Sequence, residues 1–244
     1  MSYGGESGTY RLKPFKYSSH YWILEFIARI SRPARILEIG TADGYLGAIL
    51  KEQGHFLVGV EQSGELAEKA RAHYDRFHVV DIEHFDFSTD DHFDIIVFAD
   101  VLEHLRDPAT VLQRSLASLT PHGQIIVSVP NVANFFVRGC LLLGRFEYAD
   151  RGILDRTHLR FFTLATLRKL LAECSCRCVE ITATPIPIQL VIPVVENRLF
   201  LPLHEIHYFL VRLWKTFFGY QFVIRAEANL ESKVRHESTS VEPI

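Results

Sequence analysis

The sequence lacks the features that mark membrane-spanning, secreted and broadly nucleic-acid-binding proteins. It has no run of about 18 apolar residues, so we expect no membrane span. Its first residues do not combine a basic segment with an apolar core, so we expect no secretory signal. The formal net charge is −3 and no long block of Lys and Arg occurs, which argues against a nucleic-acid partner.

Cysteine is also scarce. The four cysteines are Cys140, Cys174, Cys176 and Cys178. The last three form a C-x-C-x-C pattern, which lacks the C-x-x-C spacing of common zinc sites. If this segment is a strand, alternation places Cys176 and Cys178 on one face as small core residues. The cysteines therefore predict no metal site, and a reducing cytoplasm is the expected location.

The length of the chain limits its domain organisation. The 244 residues are enough for one substantial α/β domain, whereas two full domains would be cramped. We assign residues 1–230 to a single domain, with an N-terminal arm and helix in 1–33. Segments 131–162 and 184–218 interrupt the regular pattern and are interpreted as insertions. Residues 231–244 are polar and are predicted to form a disordered tail.

The segment 36–50 organises the rest of the chain. An apolar run predicts a buried parallel strand, Gly40 and Gly44 predict a turn, and an apolar helical pattern follows. Such a turn places backbone N–H groups and a positive helix end against a ligand. A dinucleotide fingerprint would need glycine at positions 40, 42 and 45, and only the first is glycine. An acidic-x-G-x-G-x-G pattern fits Glu38, Gly40 and Gly44, with Ala42 in the middle.

Strands and helices alternate after this turn. Further strands are predicted at 56–61, 77–80, 93–100 and 124–129. Alternation of this length predicts right-handed crossovers and a parallel sheet. Glu61 ends the second strand, about 20 residues beyond the turn, where nucleotide-binding α/β folds hold the ribose hydroxyls. Asp81 can accept from an adenine amino group while Ile82 packs on the ring.

The fourth strand ends in Asp100 and Val101, the place where an open α/β sheet binds its ligand.

The segment from Glu38 to Gly44 resembles motif I of the class I S-adenosylmethionine (SAM)-dependent methyltransferases. Residues 93–96 leading into 101–105, and residues 123–131, also look like segments of small-molecule members of that family. The resemblance covers about residues 34–129. It implies a Rossmann-like, seven-stranded, mostly parallel sheet with helices on both faces and an antiparallel last strand, assigned to 220–227.

The same resemblance implies SAM as the cofactor and S-adenosylhomocysteine (SAH) as the product. The predicted cofactor-binding residues are Glu38, Gly40, Thr41, Ala42, Gly44, Glu61, Gln62, Asp81, Ile82, Asp100 and Val101. The turn residues are expected at the methionine part, Glu61 at the ribose, and Asp81 with Ile82 at the adenine. Ala42 departs from the usual glycine, and its methyl group is tolerable if the φ angle of Ala42 is negative.

A dense Asp, Arg and His loop between 150 and 163 is the expected acceptor side. It resembles a stretch of a methyltransferase subgroup associated with glycan and small-molecule modification. A hydroxyl acceptor must lose its proton, so His158 and His104 are candidate catalytic bases, with Asp155 to orient His158. Each histidine can equally be structural. The loop arginines can bind an anionic acceptor or pair with loop carboxylates: Arg151, Arg156 and Arg160.

The second insertion is interpreted as a pair of aromatic-rich helices over 196–218, broken near Pro202. Its wide apolar face can pack on the sheet, form a homodimer seam, or contact a membrane surface that holds a lipid-linked acceptor. The expected function is SAM-dependent methyl transfer to a small-molecule or glycan-linked acceptor, at oxygen. The alternatives are an NAD-dependent oxidoreductase, which the glycine spacing disfavours, and a non-catalytic SAM-binding protein. A nucleic-acid methyltransferase is disfavoured because no Pro-Pro-aromatic segment follows the fourth strand.

Overall fold

The structure is a computed structural model, and it describes residues 16–87, 92–187 and 201–228. Most of the predicted N-terminal arm, part of the second insertion and the whole of the predicted tail lie outside the described residues. The helix that was assigned to the end of the arm is present as α1, Ser19–Ala28. It begins after Ser18, whose hydroxyl accepts a hydrogen bond from the Tyr21 N–H and so caps the helix.

One seven-stranded sheet forms the centre of the protein. Its strands are β1 Arg35–Ile39, β2 Phe56–Glu61, β3 Arg76–Val79, β4 Phe93–Ala99, β5 Leu119–Pro130, β6 Cys176–Ala183 and β7 Gln221–Ala228. The spatial order is β3-β2-β1-β4-β5-β7-β6. The first five strands pair in parallel, and β7 runs antiparallel to both β5 and β6. The predicted fold class, including the reversed last strand, is confirmed.

Helices cover both faces of the sheet. They are α2 Tyr45–Glu52, α3 Gly64–Ala70, α4 Pro108–Ser115, α5 Phe135–Leu142 and α6 Leu164–Glu173, followed by a helix at Leu201–Leu213, here called the late helix, and a short one at Lys215–Phe218. Alternate residues of β4 feed two separate cores: Ile95 packs in the cluster with α1 and α2, and Ile96 in the cluster with α4 and α6. The central strands are therefore buried on both sides, which explains their continuous apolar runs.

Two local predictions differ from the structure. The turn assigned to 121–123 lies within β5, where the register with β4 shifts between Phe93 and Ile95, so these residues form a bulge. Helix α5 was not predicted; Asn134 caps it by accepting from the Phe136 N–H. The predicted packing of the strand cysteines is confirmed: Cys176 is buried, and Cys178 packs half-buried against the same core. All four thiols are free.

The late helix presents its apolar residues outward. Five of the large apolar side chains that were expected to share one face are exposed: Leu203, Ile206, Phe209, Leu213 and Trp214. The interpretation that this face packs on the sheet is therefore wrong for these five residues, whereas Leu210, Phe217 and Phe218 are half-buried and Phe218 packs against the core. The structure describes this segment only from Leu201, where the late helix begins next to Pro202, and a further break falls at Trp214. Within the described ranges, no helix is long and apolar enough to cross a membrane.

Candidate functional site

The glycine turn follows β1, which neighbours β4 in the sheet. The strand order reverses between these two strands, and an open sheet binds its ligand at such a point. Gly40 has φ +70°, and a Cβ built there would lie 2.7 Å from Cγ2 of Val101. Gly44 has φ +80°, and its Cβ would lie 2.8 Å from Cα of Ala70. Both positions therefore require glycine, for conformation and for space. The predicted turn residues Gly40 and Gly44 and the strand-end residue Val101 are brought together.

Ala42 does not meet the condition that was set for it. Its φ angle is +48°, in the left-handed region, so the methyl group is held in a conformation that L-residues avoid at a cost of about 1–2 kcal/mol. The Ala42 N–H donates to Oε2 of Glu61 at 3.0 Å, which helps to hold this conformation. The neighbouring Thr41 is buried at the base of the turn.

Glu61 connects the end of β2 to the glycine turn. Besides Ala42, its carboxylate accepts from the Ser63 N–H at 2.9 Å, through Oε1. The side chain is 7 % exposed, and burial raises the pKa of Glu61 above its ordinary value. Gln62, next along the chain, is exposed. Two backbone donors thus fix a carboxylate at the edge of the crevice, in the position predicted for the ribose.

Asp81 and Asp100 follow β3 and β4 at the same edge of the sheet. Asp81 is half-buried, accepts from the Glu83 N–H at 2.9 Å and precedes Ile82, which is 9 % exposed. Asp100 has φ +57°. Its carboxylate accepts from Ser128 Oγ at 2.5 Å and from Gln221 Nε2 at 2.8 Å.

Sequence reasoning missed Ser128 and Gln221, which hold Asp100 from β5 and β7. Carboxylates thus stand at the ends of β2, β3 and β4 around a turn that only glycine can form. This set fits an adenosyl ligand: hydroxyl and amino groups can donate to the carboxylates, and the open backbone of the turn admits a close approach. Of the predicted cofactor residues, Gly40, Gly44, Glu61, Asp81 and Asp100 therefore lie at or just after strand ends at one edge of the sheet.

Glu38 lies below the turn in the interior. It is 3 % exposed, and the Tyr74 hydroxyl donates to its Oε2 at 2.8 Å. Burial raises the pKa of Glu38 from 4.5 to about 8. The folded protein therefore keeps a proton on Glu38 at pH values where the unfolded chain has lost it.

This proton makes stability depend on pH. Between pH 4.5 and about 8 the unfolded state binds fewer protons, so the free energy of unfolding should fall as pH rises, by up to about 1.4 kcal/mol per pH unit. Glu38→Gln keeps an acceptor for Tyr74 and removes the titration, so urea unfolding between pH 5 and 9 should show a shallower slope. Glu68→Gln, at an exposed carboxylate, is the control. An unchanged slope in Glu38→Gln would contradict the buried neutral carboxyl.

Two histidines meet beyond the carboxyl end of β4. His104 ends the short 3-10 helix Leu102–His104, and His158 comes from the Asp/Arg/His loop. Their ring centroids are 4.9 Å apart, at an interplanar angle of 70°. Burial lowers the pKa of His104, and the neighbouring His158 lowers it further. The structure therefore brings both candidate bases to one place, with His104 three residues beyond Val101, whose side chain faces Gly40 of the turn.

Asp155 does not orient the ring of His158. Its carboxylate accepts from the Thr157 N–H at 2.8 Å and from the Thr157 hydroxyl at 2.7 Å. The ring of His158 is held by the Ile153 carbonyl, 3.1 Å from Nδ1. The prediction that the Asp155 carboxylate orients the His158 ring is therefore wrong: the carboxylate bonds Thr157, the His158 N–H donates to the Asp155 carbonyl at 3.1 Å, and the Ile153 carbonyl holds the ring.

The loop arginines divide between the two expected uses. Arg156 pairs with Asp150 at 2.8 Å, both at exposed positions. Arg160 donates to the Arg106 carbonyl and thereby ties the loop to the segment after the Leu102–His104 helix. Arg151 is exposed. The ion-pair alternative therefore applies to Arg156, and a role in binding an anionic acceptor stays a prediction for Arg151.

A family described as "Methyltransferase domain" matches residues 17–181. A ubiquinone biosynthesis O-methyltransferase from Bradyrhizobium diazoefficiens is 31 % identical over 147 residues, which cover 57 % of this chain and 56 % of that protein. The chain thus spans just over half the length of this curated relative.

Two solved structures share the fold. A SAM-dependent methyltransferase from Archaeoglobus fulgidus superposes with a TM-score of 0.61 at 18 % identity, covering 85 % of this chain and 92 % of that one. Magnesium protoporphyrin IX methyltransferase from Synechocystis, solved with bound SAH, gives 0.58 at 13 % identity, covering 86 % and 81 %. At these identities the likeness extends to the fold.

Proposed function

The chain belongs to the methyltransferase-domain family, and from that premise we propose that it transfers a methyl group from SAM to an oxygen atom of a small-molecule or glycan-linked acceptor. The family and its SAM-dependent neighbours confirm the predicted class and SAM as the cofactor. The same family match disfavours the alternative of an NAD-dependent oxidoreductase. The acceptor, and the roles of individual residues, are proposals.

The observation that carries transfer to oxygen is the His104–His158 pair. Methyl transfer from a sulfonium is an in-line displacement of an activated donor, so the protein mainly positions the two reactants. When bound, SAM supplies the electrophilic methyl group. A hydroxyl acceptor must lose its proton as its oxygen attacks, and neutral imidazoles can promote that loss near neutral pH. His104 lies three residues beyond Val101, whose side chain faces Gly40 of the turn that is proposed to hold SAM.

Separate observations support the proposed acceptor, the partners and the location of the protein. Two of the matched relatives are named ubiquinone biosynthesis O-methyltransferases, which agrees with an oxygen acceptor. Arg151 offers an exposed cation for an anionic group on the acceptor. The outward apolar face of the late helix supports peripheral contact with a membrane surface or with a second copy of the chain. A cytoplasmic location is supported by the four free thiols.

The first test is thermal unfolding of the purified protein with SAM, SAH, NAD or no ligand, followed by transfer of a radiolabelled methyl group to a panel of hydroxyl acceptors. At about 100 times its Kd, a cofactor adds roughly 2.7 kcal/mol of stability. This corresponds to about 5–10 °C in Tm. We expect shifts with SAM and SAH, none with NAD, and label in sugar or phenol hydroxyls. A SAM shift without transfer to any hydroxyl in the panel would favour the non-catalytic alternative.

A further inference from the structure

We propose that Glu103, His104 and His158 form a binding site for a first-row divalent metal ion. One ligand atom from each of the three side chains lies within 4.8 Å of the others. Glu103 is 1 % exposed and His158 is 9 % exposed, so the cluster is internal rather than a chance grouping on the surface. The inference rests on the proposed function for the use of the ion, but binding of the ion does not depend on the acceptor.

The cluster is assembled by two segments that are tied together through the backbone. Glu103 and His104 lie on the Leu102–His104 helix, and His158 lies more than 50 residues further on, in the loop. The Leu159 and Arg160 N–H groups both donate to the Glu103 carbonyl, at 2.8 and 2.9 Å. These two bonds join the residues that immediately follow His158 to the backbone of Glu103 itself. The three side chains are therefore held by rigid backbone, as a preformed ligand set requires.

The hydrogen bonds of the two rings leave the correct nitrogen for a metal. Nδ1 of His158 lies 3.1 Å from the Ile153 carbonyl, and Nδ1 of His104 lies 3.3 Å from the Thr157 carbonyl. A carbonyl oxygen can only accept, so in each bond Nδ1 carries the proton and Nε2 keeps its lone pair. Imidazole ligands in metal sites are typically fixed in this way, by a carbonyl or carboxylate at the other nitrogen.

The ligand set selects the class of ion. Two imidazoles and one carboxylate suit zinc, manganese, cobalt or iron, whereas Mg²⁺ and Ca²⁺ prefer oxygen ligands. At metal–ligand distances of about 2.1 Å, tetrahedral ligand atoms stand about 3.4 Å apart. Side-chain rotations that close the cluster by up to about 1.4 Å therefore suffice. Three protein ligands leave a position open for an oxygen atom of the acceptor.

An ion at this site would change how the acceptor is activated. An acceptor hydroxyl beside the ion loses its proton to water at a lower pH than it would alone, and its oxygen forms the new bond to the methyl carbon. The carbon–sulfur bond of SAM breaks and neutral SAH leaves. The two histidines then act as ligands rather than as proton acceptors. Glu103, in the segment after β4, is then the carboxylate ligand of the ion.

The test uses untagged full-length protein that has been stripped with a chelator and dialysed, and it needs no acceptor. Co²⁺ is titrated while heat and the visible spectrum are recorded. We expect about one ion per chain, with the absorption of a nitrogen- and oxygen-ligated Co²⁺ site. Glu103→Gln, His104→Ala and His158→Ala should each weaken binding by about 100-fold, as expected for loss of one of three ligands. His122→Ala, at an exposed histidine in the β5 bulge, should bind Co²⁺ as the unaltered protein does.

Each outcome has a defined meaning. The SAM-dependent rise in unfolding temperature is measured on every variant, and its retention shows that the fold and the cofactor crevice are intact. If the stripped protein takes up no Co²⁺, or if the three variants bind it like His122→Ala, the metal site is refuted. If Co²⁺ binds at this site and no hydroxyl is methylated, the proposed function fails while the metal site stands.

Discussion

Glu61→Ala is expected to weaken SAM binding by about 100-fold. The carboxylate of Glu61 is buried at the edge of the crevice, fixed by the Ala42 and Ser63 N–H groups. Two ribose hydroxyls would donate to this same anion, and a hydrogen bond to a charged group contributes about 1.5–3 kcal/mol. Removing the carboxylate removes both bonds to the ligand. Isothermal titration with SAM and with SAH measures the change in Kd.

The matched control for this variant is Glu68→Ala. Glu68 is on α3, its side chain is 78 % exposed, and its loss changes the net charge by the same amount. Glu61→Gln keeps one acceptor oxygen and should fall between Glu61→Ala and the unaltered protein. Unfolding without ligand separates the stability of the turn from its affinity. Equal Kd values for Glu61→Ala and Glu68→Ala would rule out the ribose role.

Local patterns predicted the parts of this site that depend on short-range geometry. The glycine turn and the acids at the ends of β2 and β3 follow from residues within a few positions of one another. Strand periodicity and the alternation with helices then fix which ends of the strands meet. The crevice edge could therefore be located before any coordinates.

Contacts between distant segments could not be predicted in the same way. Asp100 is held by Ser128 and Gln221, which are 28 and 121 residues away. No local period encodes such pairs, because they depend on the register of β5 and β7. The same reason applies to Glu103, whose neighbour His158 comes from a separate loop.

Periodicity also identifies an apolar helix face without identifying its partner. The late helix was predicted with a wide apolar stripe, and the stripe exists, but Ile206 and Phe209 point away from the sheet. The helix is anchored instead by Val211, by the half-buried Tyr208, and by Tyr17, whose ring stacks on that of Tyr208 with centroids 3.6 Å apart. The sequence near Tyr17 lacks periodicity, so this anchoring was not foreseen.

His158→Ala is expected to spare SAM binding and to slow methyl transfer by about 100-fold or more. The ring lies in the acceptor loop, outside the set of residues assigned to the cofactor, so the Kd for SAM should stay within about two-fold. Loss of proton-transfer assistance at a hydroxyl typically lowers the rate by 10²–10⁴-fold. Single-turnover transfer of labelled methyl, at saturating SAM, isolates this step. His122→Ala serves again as the control for loss of a histidine.

The double variant distinguishes a joint role from two separate ones. If His104 and His158 act as one unit, His104→Ala, His158→Ala and the double variant should lose similar activity, because loss of either histidine already abolishes their joint activation of the acceptor hydroxyl. If each acts alone, the losses should multiply. Added Co²⁺ or Zn²⁺ should not restore any of the three, since each lacks a ligand of the proposed site. Normal turnover by His158→Ala would remove this residue from the mechanism, because the 4.9 Å contact with His104 would then be structural packing.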